Sequence, residues 1–320
     1  MKFSIVIPVY KNEAFLEKLV GDLEDVARQL HGELEVVFVV DGSPDRSHAL
    51  LQQALPKAGF HSQLLLLTRN FGSFSAVAAG LGAAKGEYLA VIAADRQEPP
   101  DLTLRFFAEL EKRDCDIVFG QRESRADPWL TRLSARIFWG LYRRFVQRDM
   151  PPGGIDVFAC TRAACDVLLN LREANTSLVG LLMWVGFRRR FIGYGRLVRE
   201  SGTSAWTFRR KLRYLKDSIF AFSDLPLRLL GHIGLLGMVV SVIIAVLTVV
   251  ARLAAGIDVP GYAATVSIIV FFGGLNSFGI SLLGEYLWRT FENSKQRPRY
   301  IVLQKTGFLA TSTKSDERST

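Results

Sequence analysis

The chain has 320 residues, 49% of them hydrophobic, and a formal net charge of +9. This length allows one sizeable α/β domain with additional elements, and the apolar excess is concentrated near the C-terminus. A basic chain can bind nucleic acid, anionic lipid or phosphorylated substrates. The three cysteines have no Cys-x-x-Cys spacing, so they indicate neither a disulfide framework nor a zinc site and fit a reducing cytosolic setting.

Strands and helices alternate over the first 120 residues. Short apolar runs bounded by turn residues are typical of buried strands, and apolar side chains three and four positions apart predict amphipathic helices. Strands are predicted at 3–9, 34–40, 63–67, 88–93 and 116–120, and helices at 13–30, 74–84 and 102–112. This order predicts an α/β fold with a mostly parallel, doubly wound sheet.

Polar side chains follow the predicted strands where each one ends. In open α/β sheets, ligands bind in the crevice outside the carboxyl ends of the strands. Asp95 follows the fourth strand, with Gln97 two residues later and a Pro-Pro stop at 99–100. A carboxylate in that place can hold a hard divalent cation, which in turn can hold a diphosphate. The alternative is a solvated acidic turn between a strand and a helix.

Two long stretches near the C-terminus, 233–251 and 259–284, contain no charged residue. At about 1.5 Å per residue, a helix of the first stretch is about 28 Å long, close to the thickness of a hydrocarbon core. Basic residues flank the pair on both sides, whereas the connection holds only Arg252, offset by Asp258. Because positive flanks stay cytoplasmic, a transmembrane hairpin with both termini in the cytosol is predicted.

Residues 128–148 and 206–225 combine an apolar, aromatic stripe with several basic side chains. This pattern is typical of helices at a membrane surface, although an ordinary core-facing helix with a solvated basic side explains the first segment equally well. Because the positive charge clusters beside the apolar spans, nucleic-acid binding is disfavoured. After Gly307 the Ser/Thr/Lys-rich tail is predicted to be disordered.

An ordered set of motifs extends from residue 5 to about residue 297. The motifs are 5–13, 40–45, 69–72, 94–100, 120–122 with Arg125, 154–158, 199–204 and 222–227. With them, the chain resembles the polyisoprenyl-phosphate branch of glycosyltransferase family 2, which includes dolichol-phosphate-mannose synthases and bacterial undecaprenyl-phosphate sugar transferases.

The resemblance implies a domain order and a reaction. A GT-A nucleotide-binding domain is expected at 1–205, an amphipathic juxtamembrane helix at 206–228, the transmembrane hairpin at 229–288 and a basic cytosolic tail at 289–320. The implied activity is inverting transfer of a sugar from a nucleoside-diphosphate sugar, a UDP-sugar by family habit, to a polyprenyl phosphate such as undecaprenyl phosphate. The protein is then a multi-pass protein of the bacterial inner membrane with a cytosolic catalytic domain, and a homodimer or homotetramer stays open.

The resemblance also implies a set of site residues. Asp95, with Gln97, would ligate Mg²⁺ or Mn²⁺, and guanidinium groups match phosphate oxygens. Asp156 is the second candidate catalytic residue, as a base, as an orienting group for the sugar, or as a stabiliser of positive character at the anomeric carbon; a lipid phosphate is already ionised near pH 7 and needs no strong base. The expected donor-binding residues are Pro8, Tyr10, Glu13, Asp41, Ser43, Arg69, Asn70, Ala94 and Asp95, and the expected phosphate- and acceptor-binding residues are Arg122, Arg125, Arg196, Arg199 and Ser204.

Three positions depart from the family pattern, and two other readings remain. Ala93 replaces the first carboxylate of the usual Asp-x-Asp, Val40 stands where many relatives have Asp, and Ala205 stands where relatives often have Lys or Arg. A processive polysaccharide synthase shares the fold, but its usual Gln-x-x-Arg-Trp motif is absent from the sequence. A membrane scaffold that has lost its chemistry is the alternative that Ala93 supports.

Overall fold

The computed structural model describes residues 1–122, 140, 142–144, 149–151, 155, 157–171, 173, 177–195, 197, 217–220, 223, 225–255 and 261–311. The strands in these ranges are β1 (Phe3–Val9), β2 (Leu34–Val40), β3 (His61–Leu67), β4 (Tyr88–Val91), β5 (Ile117–Arg122), β6 (Phe158–Thr161), β7 (Arg189–Tyr194) and β8 (Val302–Phe308). The α-helices are α1 (Glu13–Gln29), α2 (Ser47–Ala54), α3 (Ser73–Ala83), α4 (Asp101–Glu111), α5 (Arg162–Asn170), α6 (Leu178–Trp184), α7 (Leu225–Ala255) and α8 (Tyr262–Ser294).

All eight strands form one sheet in the order β7-β5-β6-β4-β1-β2-β3-β8. β1 pairs in parallel with β2 and β4, β2 with β3, and β5 with β7, whereas β6 and β8 run antiparallel to their neighbours. The carboxyl ends of β1 to β5 and of β7 therefore share one edge of the sheet, which we call the crevice edge. The chain enters β6 and β8 at this same edge.

Helices cover both faces of the sheet and bury its apolar residues. All seven residues of β2 are buried, as expected for a central strand covered on both faces. On one face α1 and α4 pack with Ile5 and Ile7 of β1, and on the other α3, α5 and α6 pack with Val6. The α/β fold with a mostly parallel sheet is thus the one that the alternating pattern predicted.

The predicted strands at 3–9 and 34–40 have the bounds observed for β1 and β2. β4 ends at Val91 instead of 93, because its antiparallel pairing with β6 ends where Val91 lies opposite Phe158. The sequence reading missed α2, β6, α5, α6, β7 and β8. The amphipathic helices predicted at 128–148 and 206–225 lie mostly outside the described residues.

The C-terminal segment corrects one prediction. Disorder was expected after Gly307, but Phe308 belongs to β8, and Thr311 donates from its backbone N–H to the Ala58 carbonyl at 3.1 Å. β8 pairs with β3 through the register Ser62–Phe308 to Leu67–Val302. The ladder comes from a strand more than 230 residues earlier, so local composition gave no sign of it. Residues 302–308 therefore belong to the same sheet as β1 to β7.

Two long helices, α7 and α8, precede β8 and pack against each other. Gly237 lies against the Phe272 ring, and Gly279 lies near the Leu230 side chain. Among the described residues, one segment, Leu225–Ile244, is long and apolar enough to cross a membrane, with a mean hydropathy of 2.1. One candidate span is therefore present, and the two-span hairpin stays a prediction.

Candidate active site

At the crevice edge, Asp41 connects the end of β2 to the loop that follows β3. Its buried carboxylate accepts hydrogen bonds from the backbone N–H groups of Phe71 at 2.7 Å and Gly72 at 2.8 Å. Gly42 makes this approach possible: its φ is +55°, and a Cβ there would lie 2.4 Å from the carbonyl carbon of Arg69. The 41–43 turn and the 69–72 loop thus form one backbone unit.

Burial raises the pKa of Asp41 above its ordinary value, although the hydrogen bonds from Phe71 and Gly72 and the charge of Arg69 act in the opposite direction. Asp41 was expected to bind the donor, and both of its oxygens are already engaged by the loop. Its direct effect is therefore to fix where the loop lies. Arg69 and Asn70 are exposed on that loop, and the Arg69 guanidinium stacks 4.0 Å from the centre of the Phe71 ring.

A second set of hydrogen bonds joins the loop after β1 to the loop after β2. The Ser43 hydroxyl accepts from the Lys11 backbone N–H at 2.8 Å and donates to Asp45 at 2.6 Å. The Asp45 carboxylate accepts from the Glu13 backbone N–H at 3.2 Å, and the Glu13 carboxylate accepts from the Arg46 backbone N–H at 2.8 Å. Ser43 and Glu13 therefore hold the two loops together.

The pKa of Asp45 is lower than usual: burial raises it, but the hydrogen bonds from Ser43, Ser47 and Glu13 together outweigh that effect. Beside these two hydrogen-bonded loops, Tyr10 is 42% exposed, and Pro8 pairs with Val39 within the sheet. An exposed aromatic ring at the carboxyl end of β1 offers a flat apolar surface on which a nucleobase can stack.

An ion pair on one side and a hydrogen bond on the other hold the acidic turn after β4 in place. Arg96 has a φ of +55° and forms a bidentate ion pair with Asp22 of α1, with nitrogen–oxygen distances of 2.6 and 3.1 Å. On the other side, the Leu197 backbone N–H donates to the Gln97 carbonyl at 2.9 Å. Asp95 is half-buried between these two attachments, and Ala94 is buried. The turn therefore holds its carboxylate at the crevice edge.

The residues present fit a cation that binds together with a diphosphate. Among the described residues there is no group of three or more His, Cys, Asp or Glu side chains that could hold a metal alone. Asp95 offers one carboxylate, and Gln97, whose side chain is buried, is the neighbouring amide. Mg²⁺ in nucleotide sites commonly uses one or two carboxylates and completes its shell with water and substrate phosphates.

The acceptor side is described only in part. Arg122 ends β5 and lies opposite Tyr194 of β7 in the sheet, so it is at the crevice edge. β6 begins beside the end of β4, where Phe158 pairs with Val91. Of the predicted residues, Arg125, Asp156, Arg196, Arg199 and Ser204 lie outside the described residues.

Sequence reasoning missed several residues that build the site. Asp45 was inside a quoted motif, but its bond to the Glu13 backbone required knowledge of which loops meet. Asp22 gave no signal, because an acidic residue on the polar side of a helix is ordinary. Leu197 was also missed, since it acts through its backbone N–H.

Comparisons with known proteins all point to the same family. Residues 4–169 match Glycosyl transferase family 2. An uncharacterized glycosyltransferase of Synechocystis sp. is 32% identical over 305 residues, which cover 94% of this chain and 95% of the relative. The uncharacterized glycosyltransferase YkcC of Bacillus subtilis is 30% identical over 314 residues, covering 96% and 95%.

A third relative has a named substrate. The undecaprenyl-phosphate 4-deoxy-4-formamido-L-arabinose transferase of Proteus mirabilis is 30% identical over 308 residues, which cover 96% of this chain and 94% of that protein. The matched family region contains β2 to β6, the acidic turn, and all but one residue each of β1 and α5. On this similarity and on its α/β fold, the chain belongs to glycosyltransferase family 2 and is a glycosyltransferase.

Proposed function

We propose that this protein transfers a sugar from a nucleoside-diphosphate sugar to a polyprenyl phosphate, such as undecaprenyl phosphate, at the cytosolic face of the bacterial inner membrane. The observation that carries the proposal is that one chain combines three features. The family 2 domain has an acidic turn at the crevice edge, hydrogen bonds to Asp41 hold the loops beside that turn together, and an apolar helix follows the domain.

The donor lies over the carboxyl ends of β1, β2 and β3. Tyr10 stacks on the nucleobase, and the polar loops around Ser43 and Asn70 contact the ribose. Arg69 is exposed beside them and its charge attracts the diphosphate. A UDP-sugar is the first donor to try, on the family resemblance alone.

In the reaction, a phosphate oxygen of the acceptor attacks the anomeric carbon of the sugar. The new carbon–oxygen bond forms on the face opposite the leaving group, the bond from that carbon to the diphosphate breaks, and the nucleoside diphosphate leaves with the electron pair. Asp95, with Gln97, would hold Mg²⁺ or Mn²⁺, which neutralises charge on the leaving diphosphate and can supply several kcal/mol. Arg122, at the end of β5, would contact phosphate oxygens. The predicted roles of Arg125, Asp156, Arg196, Arg199 and Ser204 belong to this same proposal.

The membrane arrangement is also part of the proposal. Residues 229–288 form a two-span hairpin, and the basic flanks keep both termini and the catalytic domain in the cytosol. The polyprenyl phosphate then keeps its tail in the bilayer and presents its headgroup to the crevice edge. The homologue named for undecaprenyl phosphate supports this choice of acceptor.

The test is incubation of membranes containing the protein with a panel of radiolabelled nucleotide sugars and undecaprenyl phosphate. Label should enter the lipid fraction with one donor and should not do so with the Asp95→Asn variant. A protein that binds no nucleotide sugar and labels no lipid would instead be a scaffold, the reading that Ala93 favours. Long water-soluble polymer without labelled lipid would indicate a processive synthase.

A further inference from the structure

The C-terminal end of α8 carries the side chains of a membrane–water boundary. Trp288, Phe291 and Lys295 lie three and four positions apart, on one side of the helix. The Lys295 ammonium is 4.9 Å from the centre of the Trp288 ring and 4.2 Å from that of Phe291, and it also pairs with Glu292 at 2.6 Å. Trp288 and Phe291 are 56% and 52% exposed. Exposed aromatic rings with a lysine at the helix end are typical of the interfacial belt.

The connection from this boundary to the catalytic sheet is short. Seven residues, 295–301, separate α8 from β8, so the connection spans at most about 25 Å when fully extended. Part of it is also fastened. The Arg299 guanidinium donates to the Leu171 carbonyl, and Tyr300 packs against the apolar cluster on the α3 face of the sheet. Burial lowers the pKa of Arg299, which is held inside the domain surface. Three residues, 296–298, lie between Lys295 of the boundary and Arg299, the first residue bonded to the domain.

β8 joins the sheet at the crevice edge itself. The Thr68 backbone N–H donates to the Ile301 carbonyl at 3.1 Å, and the ladder then runs back along β3. Thr68 immediately precedes Arg69, the first residue of the loop that Asp41 holds. The end of α8 is therefore connected, through one short segment and one hydrogen bond, to the loop expected to carry the donor diphosphate.

We infer that residues 299–308, which we call the latch, hold the crevice edge at the bilayer surface, so that a phosphate headgroup reaches the donor while its tail stays in lipid. This inference rests on the proposed function. The latch does not contact the reacting atoms. It limits the distance between the membrane boundary at Trp288 and the loop at Arg69, and so raises the effective concentration of a membrane-bound acceptor at the site.

The experiment lengthens the connection without touching the latch or the crevice. A flexible twelve-residue Gly/Ser segment is inserted between Arg297 and Pro298, both exposed. The matched control carries the same segment after Thr320. Purified proteins are reconstituted in vesicles, and transfer is measured to two acceptors: undecaprenyl phosphate in the bilayer and a short-chain, water-soluble prenyl phosphate. Lengthening the connection from seven to about nineteen residues should lower transfer to the bilayer acceptor about fivefold, by the −3/2 power dependence on linker length.

A second variant releases the latch by replacing Gln304 and Lys305 of β8 with proline, which removes ladder hydrogen bonds from an edge strand. Leu309→Pro, just after β8 and 80% exposed, is its control. Both latch changes should spare transfer to the soluble acceptor and the KM for the nucleotide sugar. Equal loss with both acceptors, or no loss with either, would overturn the inference. If the wild-type protein transferred sugar to neither prenyl phosphate, the proposed acceptor would be wrong, a result distinct from a failure of the latch.

Discussion

Replacing Gly42 with alanine tests whether the junction between the 41–43 turn and the 69–72 loop sets donor binding. The new Cβ would lie 2.4 Å from the Arg69 carbonyl carbon and 2.5 Å from the Asn70 nitrogen. Both are backbone atoms, so no side-chain rotation relieves the contact. The loop must move by about 1 Å to restore an ordinary van der Waals distance.

That movement would stretch the two hydrogen bonds that Asp41 accepts from the loop, which are 2.7 and 2.8 Å long. A hydrogen bond to a charged group contributes about 1.5–3 kcal/mol, so partial loss of the pair costs about 3 kcal/mol. If the donor needs the loop in place, its affinity should fall on the order of 100-fold.

The control is Gly32→Ala, at the end of α1. Gly32 also has a positive φ, +78°, but a Cβ there would meet nothing within 4 Å. This variant should lose only about 1–2 kcal/mol of unfolding free energy from backbone strain and should bind donor normally. Calorimetric titration with UDP and UDP-sugars, together with thermal unfolding, separates the two effects. Donor affinity of Gly42→Ala within threefold of wild type would refute the reasoning.

Three further predictions concern the acidic turn and the loop after β2. Asp95→Asn should lower transfer by at least about 100-fold, because it removes the carboxylate proposed to hold the cation, and it should leave the unfolding midpoint unchanged. Turnover that is insensitive to a divalent-ion titration would contradict this prediction. Asp22→Asn and Arg96→Leu should each raise the KM for the donor about fivefold, as expected for loss of a partly exposed ion pair of about 1 kcal/mol. The double variant that exchanges the two residues, Asp22→Arg with Arg96→Asp, should recover part of that loss. No recovery would mean that the pair acts only on folding. The pKa of Asp45 is lowered in the folded protein, so the unfolded chain binds more protons. The stabilising contribution of Asp45 is therefore present above its unfolded pKa of about 3.8 and is lost as pH falls through its folded pKa. Asp45→Asn should flatten the fall of unfolding free energy at acid pH, and an unchanged fall would exclude this role.

The strands and helices predicted from the sequence were those with strong local patterns. β1 and β2 are β-branched runs between turn residues, and α1 places Leu16, Leu19 and Leu23 on one buried face. Elements that depend on distant partners were missed. β8 has mostly exposed side chains, and it is a strand because β3 offers an unpaired edge.

The same division holds for the candidate site. The positions of Asp41 and Asp95 at strand ends follow from the alternation of strands and helices, so the crevice edge was predictable. The way the loops hold each other was not, because the bonds from Asp41 to Phe71 and from Asp45 to Glu13 join segments about 30 residues apart. Asp22 and Arg96 are separated by 74 residues and needed the structure to be paired.

The central claim, that this family 2 glycosyltransferase makes a lipid-linked sugar, is tested most directly by mass spectrometry of the lipid product. Purified protein in vesicles is incubated with undecaprenyl phosphate, Mg²⁺ or Mn²⁺, and each nucleotide sugar in turn. The account predicts a new lipid whose mass equals the acceptor plus one sugar residue, formed with one equivalent of released nucleoside diphosphate and absent with Asp95→Asn. Release of nucleoside diphosphate without a glycosylated lipid, or no product with any donor despite intact nucleotide binding, would contradict it.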